Sequence, residues 1–142
     1  MIVQGNFEHK GGTFEVMGSD TKVTVLGNMT IQDNTIFKMK EENSRVIVNG
    51  DFTISNTNFN EFTDGVLEIK GDFSQVGDQE NFKLINEENE IEKERLKYVN
   101  NHKVILNGDG KQTINFSNPT LINADKSLKV RHNQFATLEL TK

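Results

Sequence analysis

Four glycines, Gly5, Gly27, Gly50 and Gly71, recur at intervals of 22, 23 and 21 residues, and each sits in nearly the same phrase. The phrases are IVQGNFEH (2–9), KVTVLGNMTI (22–31), RVIVNGDFTI (45–54) and VLEIKGDFSQ (66–75). A period in this range is the signature of a solenoid, in which one short supersecondary unit stacks on the next. The apolar residues keep their columns: Met1 and Val3, Val23 and Val25, Val46 and Val48, and Leu67 and Ile69 stand four and two residues before the glycine. Alternation of that kind places them on one face of a strand.

Two residues after each glycine comes Phe7, Met29, Phe52 or Phe73, and a second apolar group begins farther on with Phe14, Phe37, Phe59 or Phe82. Each period therefore reads as two or three short strands separated by corners. The corner is Gly followed by Asn6, Asn28, Asp51 or Asp72, residue types expected to accept left-handed or otherwise tight backbone. Equivalent strands then lie parallel, one strand spacing apart, and identical side chains form ladders. One unit cannot bury its apolar face alone, whereas a stack can.

A fifth phrase, KVILNGDGKQTI (103–114), has Gly108 at 37 residues from Gly71, an excess of about 15 over one period. NEENEIEKERLKYV, 86–99, fills that excess and predicts an α-helix. Asn86 is placed as a cap, Glu87, Glu88 and Glu90 lie in the first turns, and Lys93, Arg95 and Lys97 come later. Glu90/Lys93, Glu92/Arg95 and Glu94/Lys97 pair at i,i+3. A dedicated docking helix would present Ile91, Arg95 and Tyr98; a helical excursion packed on the flank of the stack is the plainer reading. Strands are expected again around 113–116, 128–130 and 135–140, with Pro119 in a loop.

The expected architecture is all-β: a right-handed parallel β-helix of about 22 residues per coil in one domain, 1–142. Regular coils span 1–85, the helical insertion 86–99, and C-terminal coils 100–142. An antiparallel β-sandwich is the alternative, since short strands at this spacing also suit it. The LxxLxL spacing of leucine-rich repeats is absent. Neither end carries a polar cap of the kind solenoid ends require, so the chain reads as a segment of a longer protein.

In order, VTVLGNMTI, RVIVNGDFTI, VLEIKGDFSQ, NHKVILNGDGKQTINF (101–116) and FATLEL (135–140) resemble a repeat unit of large secreted or surface-associated proteins of Gram-positive bacteria. The likeness runs from about residue 11 to 140, and its most specific words are GDFSQ and NHKVILNGDGKQTINF. It implies an extracellular stalk or repeat module, sometimes found beside adhesin-like or toxin-like domains, and brings no catalytic residues with it. The segment between Phe82 and His102 departs from the unit by the inserted helix.

The remaining features bound the function. The 142 residues carry 16 Lys and Arg against 21 Asp and Glu, a net charge of −5, with no basic cluster to track a phosphate backbone. No apolar run approaches a membrane span, and the polar start lacks the regions of a signal peptide. Zero cysteines excludes a thiol nucleophile or thiolate metal site. Asp51 and Asp72 fall at one corner of successive rungs, where paired carboxylates would suit acid–base work or calcium. Asn6 and Asn28 occupy the same column, however, so the position asks for a turn-former.

His9, His102 and His132 lack metal-ligand spacing, and His102 reads as a structural residue. NGDGKQT (107–113) lacks the spacing of a phosphate loop and reads as a turn. The phenylalanines fit ladder positions better than a glycan platform. The expectation is a non-enzymatic structural module without cofactor, joined to flanking coils or domains. A glycan- or protein-binding β-helix is the alternative, and a polysaccharide lyase or hydrolase a weaker one.

Overall fold

The computed structural model describes residues 1–55, 62–77, 101–117, 120–122, 129–131 and 135–141. Among them every regular element is a strand. In chain order these are β1 (Ile2–Val3), β2 (Phe7–His9), β3 (Thr13–Val16), β4 (Lys22–Val25), β5 (Met29–Ile31), β6 (Ile36–Met39), β7 (Arg45–Val48) and β8 (Phe52–Ile54). There follow β9 (Val66–Ile69), β10 (Phe73–Gln75), β11 (Lys103–Leu106), β12 (Ile114–Phe116), β13 (Thr120–Ile122), β14 (Lys129–Arg131) and β15 (Thr137–Leu140). The helix expected at 86–99, with Ile91, Arg95 and Tyr98, lies outside the described residues, as do Phe59, Phe82, Pro119 and His132.

Each recurring phrase contributes one strand before its glycine and one after it, and the two sets form separate sheets. The first sheet has the order β1-β4-β7-β9-β11-β15 and the second β2-β5-β8-β10-β12. Every neighbour in both sheets is parallel. The antiparallel sandwich does not fit these sheets, because its neighbours would run in opposite directions. Register follows the sequence columns: Val23 pairs with Val46, Val46 with Leu67, Leu67 with Val104, and Val104 with Leu138. A third sheet pairs β3 with β6, and Met39 bridges on to Phe62 in parallel. The stack of parallel rungs is consistent with a β-helix or solenoid-like fold.

One hydrophobic cluster draws on these three sheets. From the first come Val23, Val25, Val46, Val48, Leu67, Ile69, Val104 and Leu106; the second gives Met29, Phe52, Phe73, Ile31 and Ile54; the third gives Val16, Phe37 and Met39, and Phe62 joins through its bridge to Met39. The phenylalanines stack along the ladders, Phe52 on Phe73 at 5.8 Å and Phe14 on Phe37 at 5.3 Å between ring centroids. Phe37 also meets Phe52 at 6.4 Å, joining the third sheet to the second. Each fully buried side chain of this size contributes about 1.5–3 kcal/mol. Because the same column is filled on every rung, burial of one rung depends on the presence of the next.

After β12 the regular pattern changes. β13 and β14 pair with each other antiparallel, Leu121 opposite Val130, before the chain returns to the first sheet as β15. Sequence periodicity placed a strand near 128–130 and missed its local partner at 120–122.

Candidate functional site

The corner column is the place where the sequence offered chemistry, and the structure gives it a defined geometry. Asn28 donates its backbone N–H to Asn6 Oδ1 at 2.8 Å, Asp51 to Asn28 Oδ1 at 2.9 Å, Asp72 to Asp51 Oδ1 at 2.8 Å, and Thr113 to Asp72 Oδ1 at 2.7 Å. The same residues accept in the other direction, since Phe7 donates its N–H to Asn28 O, Met29 to Asp51 O, Phe52 to Asp72 O and Phe73 to Thr113 O. Asp51 and Asp72 are thus brought onto successive rungs as the spacing predicts. One oxygen of each carboxylate is engaged by a main-chain donor of the following rung, which is the role of a turn-stabilising side chain.

The glycines of the phrase are required for a reason other than the one the sequence suggested. Gly27, Gly50 and Gly71 do not have positive φ; among the four phrase glycines only Gly5 does, at 100°. A Cβ on Gly27 would collide with Asn6 Oδ1 and lie 2.8 Å from the Gly5 carbonyl. A Cβ on Gly50 would collide with Asn28 Oδ1, and one on Gly71 with Asp51 Oδ1. Meanwhile Gly27 donates its N–H to Gly5 O, Gly50 to Gly27 O and Gly71 to Gly50 O at 2.8–3.0 Å. The glycine makes room for the neighbouring rung's side chain and backbone. Left-handed backbone among non-glycine residues instead occurs at Asp20, Asn34 and Asn43.

The fifth phrase modifies the corner. Gly108 again has no room for a Cβ, which would meet the Lys70 carbonyl oxygen. Gln112 Oε1 accepts the Gly108 N–H at 2.8 Å, and Gln112 Nε2 donates to Gly71 O at 2.5 Å and to Ile69 O at 3.1 Å. This side chain closes the corner while Thr113 takes the ladder position. NGDGKQT is therefore a turn, as the sequence indicated, and Gln112 is its organising residue. The sequence signal for it was only its place just before the Thr that resumes the ladder.

His102 is buried beside Phe62, with ring centroids 5.1 Å apart. Burial pushes its pKa down to about 3, only partly opposed by the negative charge of Asp64, so the imidazole is neutral at ordinary pH. It occupies a core position rather than the surface. His9 lies on the first rung, its Nε2 3.1 Å from Gly12 O. Among the described residues no group of three or more His, Asp or Glu is placed to hold a metal ion, and no helix is long and apolar enough to cross a membrane.

Two charged clusters lie on the outer side of the first sheet. Glu68 is buried at 9% exposure, with Arg45 Nη1 donating to Oε2 at 2.8 Å and Asn107 Nδ2 to Oε1 at 2.6 Å. Lys103 Nζ reaches Glu139 Oε2 at 3.0 Å and joins β11 to β15. The Arg45–Glu68–Asn107 set links three successive rungs and was not singled out from the sequence, where its members are 23 and 39 residues apart.

At the end of the stack formed by β12 and β15, an open groove of about 740 Å³ is lined by Leu106, the 108–112 turn, Ile114 and Leu140. Leu106, Ile114 and Leu140 give it an apolar part, and Asp109 and Lys111 also line it. No family model, curated protein or solved structure matches the chain.

Proposed function

We propose that this chain is a non-enzymatic structural module, a right-handed parallel β-helix segment that spaces or presents its neighbours in a secreted or cell-surface bacterial protein. The observation that carries this reading is the in-register pairing of equivalent residues through six strands of one sheet and five of another. Such a stack extends by adding rungs and is held along its axis by backbone hydrogen bonds. Right-handed winding is supported by the strong preference of parallel strand crossovers for that hand.

The side chains that the sequence offered for chemistry favour the same reading. Asp51 and Asp72 each bind the next rung's main chain, and His102 packs in the core. The resemblance of GDFSQ and NHKVILNGDGKQTINF to Gram-positive surface-protein repeats supplies the secreted or cell-surface setting.

Pulling the chain by its two ends in a force spectrometer tests the mechanical role. A spacer resists as a unit and unfolds cooperatively. Saturable binding in a glycan titration would favour the recognition module instead, and turnover of a polysaccharide lost on replacing Asp51 and Asp72 by Asn would favour the enzyme.

A further inference from the structure

The sequence holds two Asn-Gly dipeptides, Asn49-Gly50 and Asn107-Gly108, and the fold treats them differently. We propose that Asn49 is a site of spontaneous modification, at which the side-chain amide is lost to water through a cyclic imide, and that Asn107 is held against the same reaction. Both asparagines follow a strand of the first sheet and face outward in one column with Lys70, since Val48, Ile69 and Leu106 just before them are buried and in register.

The chemistry asks for access and for a following residue without a side chain. The main-chain nitrogen of the glycine attacks Cγ of the asparagine; the N–Cγ bond forms, the Cγ–Nδ2 bond breaks, and ammonia leaves with the proton of the attacking N–H. Water then opens the succinimide. Opening at Cγ gives an aspartyl residue, and opening at the main-chain carbonyl gives an isoaspartyl link that carries the chain through Cγ. The net change is asparagine and water to a carboxylic acid and ammonia, so water is the only co-reactant. Glycine favours the attack because it leaves the backbone free to reach the required conformation, and asparagine counts among the thermally labile residues.

The two sites differ in what holds them. Asn49 is exposed, and among the described residues nothing is hydrogen-bonded to its side chain. Asn107 is clamped: Nδ2, the leaving group, donates to Glu68 Oε1 at 2.6 Å, and Oδ1 is buried. Gly50 is half-buried and gives its N–H to Gly27 O at 3.0 Å, whereas Gly108 is buried and gives its N–H to Gln112 Oε1 at 2.8 Å. Attack at either site therefore waits on local opening of the corner. Opening frees Asn49 at once but leaves Asn107 bound to Glu68, which Arg45 holds in turn at 2.8 Å.

The products bear on the stack. An aspartyl residue at 49 sets a new carboxylate one rung from Lys70 in the same outward column. The isoaspartyl product inserts an extra main-chain atom just before Gly50, at a corner where even a Cβ would overlap Asn28 Oδ1.

This inference stands apart from the spacer reading, because it depends on the corner and not on what adjoins the chain. The test incubates the folded 142-residue chain at physiological temperature and mildly alkaline pH and follows both peptides by mass spectrometry after digestion. Isoaspartate is scored by labelling with isoaspartyl methyltransferase, and the chain in denaturant gives the rate of each dipeptide without the fold. In denaturant the two should convert at similar rates; in the folded chain Asn49 should convert about tenfold faster than Asn107 or more, the factor set by a hydrogen bond to a charged acceptor. Glu68→Ala, checked for native folding by circular dichroism, should speed conversion at Asn107 and leave Asn49 unchanged. Equal rates at the two sites of the folded chain overturn the proposal, and so does an unconverted Asn49 after a period many times longer than the denatured chain needs. A folded Glu68→Ala chain whose Asn107 stays as slow as in the parent overturns the protective role. If Glu68→Ala fails to fold, Glu68→Val serves in its place.

Discussion

Asp72 donates its backbone N–H to Oδ1 of Asp51 at 2.8 Å, so that the side chain of one rung is the hydrogen-bond acceptor for the main chain of the next. The relationship repeats from Asn6 to Thr113 and makes the corner column a continuous side-chain-to-backbone ladder. Asparagine and aspartate serve equally because both present an oxygen at the same position.

Replacing Asp51 by Asn should leave stability within about 0.5 kcal/mol of the parent, whereas Asp51→Ala should cost about 1 kcal/mol by removing the acceptor for Asp72. Urea unfolding of both variants measures the difference. Equal losses in the two would mean that the carboxylate's charge, and not its hydrogen bond, matters there.

Gly50→Ala should be more damaging, at about 1–3 kcal/mol, since the new Cβ would overlap Asn28 Oδ1 and crowd the Gly27 carbonyl. Gly110→Ala has open space around the new atom and ordinary backbone, so it should stay within about 0.5 kcal/mol. The pair of melting curves checks both at once.

His102 should make stability depend on pH in a defined direction. Its pKa in the folded chain is lowered to about 3, while in the unfolded chain it lies near the ordinary histidine value of about 6.5. The contribution of the buried neutral ring is fully present above about pH 6.5 and is lost as pH falls toward 3, because the unfolded state takes up the proton first. His102→Leu should flatten that part of the profile in denaturation measurements between pH 7 and pH 4. An unchanged slope would show that other groups carry it.

Arg45→Ala leaves the Glu68 carboxylate nearly buried with one of its two hydrogen-bond partners, and should destabilise by about 1–3 kcal/mol. Adding Glu68→Gln to it should restore part of that loss, since an amide is less costly to bury than an unpaired charge. A double-mutant cycle by chemical denaturation gives the coupling.

Much of this arrangement was legible in the sequence because it depends on local identity repeated at a fixed period. The Val23/Val46 and Val25/Val48 columns, the Phe52/Phe73 ladder and the Asn28/Asp51 corner all stand where alternation and spacing put them. The reason for the corner glycines was not legible, because the collision that excludes a side chain at Gly50 comes from a residue 22 positions earlier, not from local φ. The roles of Gln112 and of the Glu68 cluster depend on which turn bulges and which outer residues meet between rungs, and no single phrase records that. The β13–β14 pair escaped notice because it obeys local antiparallel pairing within a sequence read for parallel repeats.

The corner ladder also gives the molecule a directional electrostatic edge. Its first two members, Asn6 and Asn28, are uncharged, and the next two, Asp51 and Asp72, bear carboxylates. Neighbouring rungs are about 4.8 Å apart, less than the roughly 8 Å over which physiological salt screens a charge, so counterions respond to the two carboxylates jointly. A cation travelling along that edge meets a neutral stretch and then an attractive one, and the two directions of travel are not equivalent.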